Sequence, residues 1–412
     1  MKRHVSIMWL CVFSVLLLCA QIPAEEFPQY NLLGDNSITD VPNDVATARF
    51  DFWLPDNFPS STIIRGVFIN CDYQADQNLW DNGGGTIGPD MQCMLDTIKA
   101  LAAELKFARM QELVQNPDNR SRLYKDEYQV TAVFHALDHF AEVTGHAELQ
   151  YAPVVWFGLS QSGGTAYNKA RRAPDRTITI IPWHAASSSG DFSASHGVPT
   201  LSCLGGLDGL STRANSLIPA NVEAGALWTP FIQKATQHQR LEMGTNDQVN
   251  TKAAIYWQWL RWAVATRLPE AISGAGTVQL TPLDKSQGYY VAGNWTGDGS
   301  GGNEFRWESI DVYPATADLP ANAKGWVPAA IYDIWKTRSA QACDGAITMH
   351  GEAVAVNPMV RRSAELIPYK ARESGMPRML LNGRTMPWAR RTTSLIMVQD
   401  GLKKMHVESD AR

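Results

Sequence analysis

Basic charge is in short supply. Lys and Arg number 36 against 41 Asp and Glu, for a net charge of −5 at neutral pH. No stretch gathers them densely enough for a nucleic-acid face, and that partner class is excluded. Cysteine is scarce as well, six in 412 residues. No two stand in a CxxC spacing, so nothing suggests a zinc ribbon or a redox dithiol. No repeat recurs along the chain, which excludes solenoids and propellers. Only one long apolar run exists, Val5 to Leu18, and it follows Lys2, Arg3 and His4. With small residues at Ala20 and Ala24 it reads as a secretory signal peptide over 1–24, too short and wrongly flanked for a lasting span. Leu18 stands where a lipoprotein would need a small residue before Cys19. The expectation is a secreted or periplasmic chain with no membrane span after processing. Four cysteines would remain, Cys71, Cys93, Cys203 and Cys343. Export permits disulfides, but Cys71 and Cys203 sit in runs that read as buried strands, where lone cysteines act as small core residues.

What is present centres on one stretch. Ala152-Pro153-Val154-Val155-Trp156-Phe157 is an apolar, β-branched run that leads into Gly158-Leu159-Ser160-Gln161-Ser162-Gly163-Gly164. An amphipathic segment, Thr165 to Arg172, follows at once. This is strand, tight turn and helix with a serine at the turn, the pattern of a nucleophile elbow. Gly158 and the small residues at 162–164 let backbone crowd around Ser160. The helix that follows points its first N–H groups at an oxyanion forming there. Ser162 occupies the place of the usual second glycine, and a register shifted by two would make it the nucleophile; the glycine two residues upstream favours Ser160. A Gly/Ser-rich turn without chemistry is the bland alternative.

Around this stretch, strands alternate with helices. Strands are predicted at 47–55, 63–71, 107–110, 176–183, 198–204 and 227–232, with helices at 90–105, 124–144 and 253–267. Near-continuous apolar strands imply a mostly parallel sheet covered on both faces. Its site should then lie beyond the carboxyl ends of the strands. Hydrophobic content of 45% is ample for such a core. On the helix at 124–144, Val130, Val133, Phe134, Leu137, Phe140 and Val143 mark the apolar face. His135 and His139 oppose it four residues apart, but Ala136 stands where a zinc protease carries its glutamate, and no metal is expected. From Leu268-Pro269 the chain turns rich in Gly, Pro and Thr, with a loop expected at 293–302 and a short helix at 326–335. The expected division is a catalytic domain over 25–273 and a loop-rich β appendage over 274–412.

A serine needs a base to take its proton and a carboxylate to hold the base. Asp208, just past the run Val198 to Leu204, is the candidate acid, and His238, thirty residues later, the candidate base. A plain turn aspartate and a surface-loop histidine are the bland readings. Trp183 and His184 end a strand and are assigned to the substrate pocket. The oxyanion hole is assigned to the N–H of Gln161 and to the loop near Asp72 and Tyr73, where the Tyr73 side chain could also border the acyl pocket.

Residues 47–268, with the elbow Gly158-Leu159-Ser160-Gln161-Ser162, Asp208 and His238, resemble the α/β-hydrolases, and within them secreted bacterial serine esterases of the carboxylesterase and polyester-hydrolase kind. The resemblance implies an α/β-hydrolase fold and hydrolysis of small or polymeric esters through an acyl-enzyme, without a cofactor. A serine peptidase or amidase, or a binding protein that kept the fold, are the other readings. Oligomeric state is not legible.

Overall fold

The computed structural model describes residues 30–32, 47–55, 58–59, 61–71, 98–115, 126–185, 190–238 and 246–355, with short strands between 380 and 409. The signal segment, Cys93 and the stretch holding Tyr73 lie outside the described residues. Two compact units result, Met1–Glu365 and Leu366–Arg412.

In the first unit, alternating apolar strands and amphipathic helices build one eight-stranded sheet. Its strands are β1 (Tyr30–Leu32), β2 (Thr47–Trp53), β3 (Gly66–Asn70), β4 (Phe107–Gln115), β5 (Val154–Leu159), β6 (Thr177–Trp183), β7 (Thr200–Leu207) and β8 (Trp228–Gln237). They lie in the order β1-β2-β4-β3-β5-β6-β7-β8. β2 is antiparallel to both of its neighbours, and every pairing from β4 onward to β8 is parallel. Strands β3, β5 and β6 are buried along their whole length, which is why β3 and β5 read as apolar runs, while in β6 the buried hydroxyls of Thr177 and Thr179 donate to the Ala173 and Pro199 carbonyls.

Helices α1 (Asp126–Thr144), α2 (Gln161–Arg172), α3 (Ala214–Glu223) and α4 (Asn246–Arg267) connect and cover these strands. Residues 98–105 are also helical. On α1 the predicted apolar face is buried at Val130, Val133, Leu137 and Phe140, whereas Val143, counted on that face, is 49% exposed. Helix α4 brings Ile255, Trp259, Leu260 and Trp262 into the core.

After α4 comes a second sheet, made of β9 (Gly288–Thr296), β10 (Arg306–Pro314), β11 (Ala323–Pro328) and β12 (Ile347–Met349), in the order β11-β9-β10-β12. Two segments depart from the sequence expectation. The loop predicted at 293–302 is β9 as far as Thr296, and the helix predicted at 326–335 is the end of β11, a turn, and then α5 (Tyr332–Ser339). In a β9–β10 hairpin the apolar aromatics can cross-pair and bury, and that outweighs the loop-like glycines. This sheet shares the core of the first. The Thr229 hydroxyl donates to the Trp326 carbonyl at 2.5 Å, and the Trp335 indole donates to the Pro230 carbonyl at 2.9 Å. Gly325 fits because a side chain there would meet the Pro230 ring at 2.2 Å. Phe305, Trp307, Tyr289 and Tyr290 are buried in this packing.

Candidate active site

The turn after β5 is strained as the motif requires. Ser160 has φ 57° and ψ −122°, a conformation an L-residue holds at a cost of about 1–3 kcal/mol. Its N–H is tied to the Trp183 carbonyl on the neighbouring strand at 2.8 Å, so the sheet itself holds the turn. A Cβ on Gly158 would lie 2.2 Å from the Ser162 carbonyl oxygen, and one on Gly163 would lie 2.4 Å from the Ala185 methyl. A Cβ on Gly164 would meet nothing within 4 Å. The steric demand of the second glycine therefore falls on Gly163, and position 162 admits a hydroxymethyl group. Ser162 is buried at 5% exposure.

Three side chains meet beyond the strand ends. The Ser160 Oγ is 2.8 Å from His238 Nε2, and His238 Nδ1 is 2.9 Å from Asp208 Oδ2. A carboxylate only accepts, so Nδ1 carries the proton and Nε2 is left to accept from the serine hydroxyl. Asp208 is buried at 2% exposure. It also accepts from the Leu210 N–H at 3.0 Å and from the Ser211 hydroxyl at 3.5 Å. The Ser211 hydroxyl in turn accepts from the Gly205 N–H at 2.9 Å. His238 keeps its side chain 26% exposed.

The strand before His238 is longer than the predicted 227–232. Strand β8 runs to Gln237 and His238 follows it directly. The β7–β8 ladder is irregular there: Gly205 pairs with Gln233, but Leu207 pairs with Gln237. The surplus residues of β8 include Ala235 at φ 54°. Such a bulge bends a strand and re-aims the side chains that follow it.

The substrate-pocket residues assigned from sequence turn inward. Trp183 is 2% exposed, stands edge-on to Tyr256 at 4.5 Å and donates from its indole to the Tyr256 hydroxyl. His184, 1% exposed, is 3.0 Å through Nε2 from Gln233 Oε1, and the Gln233 amide nitrogen donates to the same Tyr256 hydroxyl. Burial pushes the Tyr256 hydroxyl well above its ordinary pKa, so it stays a neutral hinge of this network. Both residues adjoin the site: the Trp183 carbonyl accepts from the Ser160 N–H, and the His184 ring stands 6.4 Å from the His238 ring. Gln233 and Tyr256 escaped sequence reasoning because nothing local distinguishes them from ordinary core positions.

Gln161 opens α2, and its backbone N–H is one of the first-turn donors that have no acceptor within a helix. Tyr73 lies outside the described residues. His184, Asp208 and His238 place ligand-type atoms within 4.8 Å of one another. Both nitrogens of His238 are already engaged by Ser160 and Asp208, and His184 Nε2 by Gln233. His139 rests edge-on against Phe140 at 5.6 Å. His350 pairs with Asp311 at 2.8 Å and stacks on Tyr313 in the second sheet. Cys71, Cys203 and Cys343 form no disulfide.

Strand order, the single antiparallel flank and the strained serine turn after β5 define an α/β-hydrolase fold carrying a Ser–His–Asp constellation. No family model matches the chain, and no curated protein does. Solved structures it is similar to include a bacterial heroin esterase, with 14% identity over 60% of this chain and 87% of the other and a TM-score of 0.38. The feruloyl esterase module from Clostridium thermocellum is 10% identical over 52% and 82%, TM-score 0.37. Dienelactone hydrolase from Anabaena variabilis is 14% identical over 57% and 97%, TM-score 0.35. Likeness at these scores carries nothing about mechanism or substrate.

Proposed function

We propose that the protein is a serine hydrolase that cleaves carboxylic esters through an acyl-enzyme. The observation that carries this reading is the continuous relay from Ser160 Oγ through the His238 ring to Asp208, at 2.8 and 2.9 Å, on a strained turn. Ser160 Oγ attacks the ester carbonyl while His238 Nε2 takes its proton. Asp208, still ionised, holds the ring and stabilises the imidazolium. The tetrahedral oxyanion is met by the N–H of Gln161 and the positive end of α2. Collapse breaks the bond to the alcohol, which leaves with the proton from His238. Water then repeats the sequence on the acyl-enzyme, giving the acid and free Ser160.

The test is Ser160→Ala against Ser162→Ala, assayed on a panel of p-nitrophenyl esters and peptide amides and by fluorophosphonate labelling. Ser160→Ala is expected to lose about 10⁴-fold or more in rate and all labelling, and Ser162→Ala to keep both. Activity on amides alone would make the protein a peptidase or amidase. A wild-type protein that binds esters without turnover or labelling would be a binding protein on this fold, and a dead Ser162→Ala beside an active Ser160→Ala would move the nucleophile.

A further inference from the structure

The bulge that aims His238 is not closed by its own sheet. It is closed by the end of the β9–β10 hairpin, residues 297–305. The Phe305 N–H donates to the Gly206 carbonyl at 2.6 Å, on the β7 side of the irregularity. On the β8 side, Glu304 Oε1 accepts from the Ala235 N–H at 2.5 Å. The Glu304 carboxylate lies directly over Gly206, where an added Cβ would meet Oε1 at 2.7 Å. A third contact reaches the acid: a Cβ on Gly299, at φ 71°, would lie 2.5 Å from the Asp208 carbonyl carbon. One loop therefore touches the backbone of both the acid and the strand that delivers the base. Where β7 and β8 part, it supplies partners for backbone groups at the parting.

The loop is built to hold that shape. Asp298 accepts from the Ser300 N–H at 2.9 Å, the Ser300 hydroxyl at 2.8 Å and the Asn303 amide at 3.3 Å. The Gly299 N–H donates to the Asn303 carbonyl at 2.8 Å. Gly297 packs so tightly on the Glu304 carbonyl that no side chain fits there.

We infer that Glu304 is a positioning residue for the triad: it holds the β8 bulge at Ala235 and thereby sets the aim of His238 at Ser160. The inference rests on the proposed serine-hydrolase reading. An acceptor oxygen is what the Ala235 N–H requires, and an amide oxygen supplies one as a carboxylate does. Removing the acceptor leaves a strained φ 54° residue unheld, and the cost should fall on turnover rather than on substrate binding, because among the described residues Glu304 bonds to the Ala235 N–H and to neither Ser160 nor the Gln161 N–H.

The experiment uses the full chain with a p-nitrophenyl butyrate assay, the rate of fluorophosphonate labelling, and thermal melting of each variant. Glu304→Ala is expected to lower kcat and the labelling rate by about 10- to 100-fold, the range a lost charge-assisted hydrogen bond corresponds to. Its KM should stay within about twofold and its melting should remain cooperative. Glu304→Gln should recover most of the loss. Gly206→Ala evicts the carboxylate by taking its place, and should lower kcat while Glu304 remains. Combined with Glu304→Ala it should cost less than the product of the two separate effects. Wild-type kcat in Glu304→Ala, equal losses in the Ala and Gln variants, multiplicative effects in the double variant, or a loss matched by loss of folded protein would each overturn the inference. A wild-type protein that fluorophosphonate does not label at Ser160 would instead bring down the serine-hydrolase reading, and this one with it.

Discussion

At the scale of single residues the elbow divides its glycines by need. Gly158 faces the Ser162 carbonyl, and a methyl group there would have to displace the Ser162–Gly163 backbone just after the nucleophile. Gly164 faces open space. Gly158→Ala is therefore expected to cost about 100-fold or more in kcat, the scale of a misplacement near 1 Å, whereas Gly164→Ala should stay within about twofold of wild type. Steady-state assays on the two purified variants decide this, and a healthy Gly158→Ala would mean the turn has slack. The chain announces much of this, since a glycine two before a serine and a β-branched run ahead of it are local features. Asp208 was legible for a related reason, because it comes just past an apolar run, and His238 because a base follows the acid in chain order. His184 and Trp183 stand at the end of such a run too, yet they fold under the sheet edge. Which way a strand-end side chain turns depends on partners such as Gln233 and Tyr256, which come from other elements and leave no local mark.

At the scale of elements, α2 is moored to the sheet from beneath as well as by its elbow. Lys169, fully buried, pairs with the buried carboxylate of Glu112 on β4 and lies 5.3 Å over the Trp156 ring. Burial pushes the Glu112 carboxyl above its ordinary pKa, with Lys169 acting in opposition. Lys169→Met removes that opposition and leaves Glu112 buried without its cation. Breaking such a pair from one side costs about 3–5 kcal/mol. The pH dependence follows from the direction of the shift. A carboxyl whose folded pKa is raised contributes its full stability below its unfolded value, and that contribution is lost as pH rises through the folded one. Lys169→Met should thus be least stable relative to wild type at neutral pH, and the deficit should shrink as pH falls toward about 4. Melting curves across that range check it, and a deficit independent of pH would mean that Glu112 is not the group left exposed to the loss. Sequence reading placed β3, β5, β6 and β7 because each is a mostly apolar run buried on both faces. It ended β8 early, at Ile232, because Gln233, Lys234 and Gln237 are polar. Those residues belong to a bulge made by pairing with β7, and pairing is not written in either strand alone.

At the scale of the whole molecule, the change of composition after Leu268-Pro269 is not a change of core. A glycine-, proline- and threonine-rich segment reads as an appendage because its aromatics are spaced by turn residues. Once β9, β10 and β11 pair, those aromatics stack inward: Trp307 and Trp326 are fully buried, and Trp326 lies 6.3 Å from Trp262 of α4. The compact unit accordingly runs to Glu365. Two truncations separate the possibilities. Ending the chain after Arg267 would uncover Trp262 and Pro230, strip the acceptor from the Thr229 hydroxyl, and remove Glu304 and Phe305 from the β8 bulge. Large buried side chains lost from a packed core cost about 3–5 kcal/mol each, and several go at once, against a total stability of about 5–15 kcal/mol. That product is expected to be insoluble or to melt without cooperativity. Ending the chain after Glu365 removes the second unit alone, and should leave kcat on a small soluble ester within about twofold and the melting temperature within about 3 °C. Circular dichroism melts and p-nitrophenyl butyrate assays on both products decide the matter. A well-folded, active product ending at Arg267 would make the second sheet an independent appendage after all, and would remove the ground on which Glu304 is assigned its part in aiming His238.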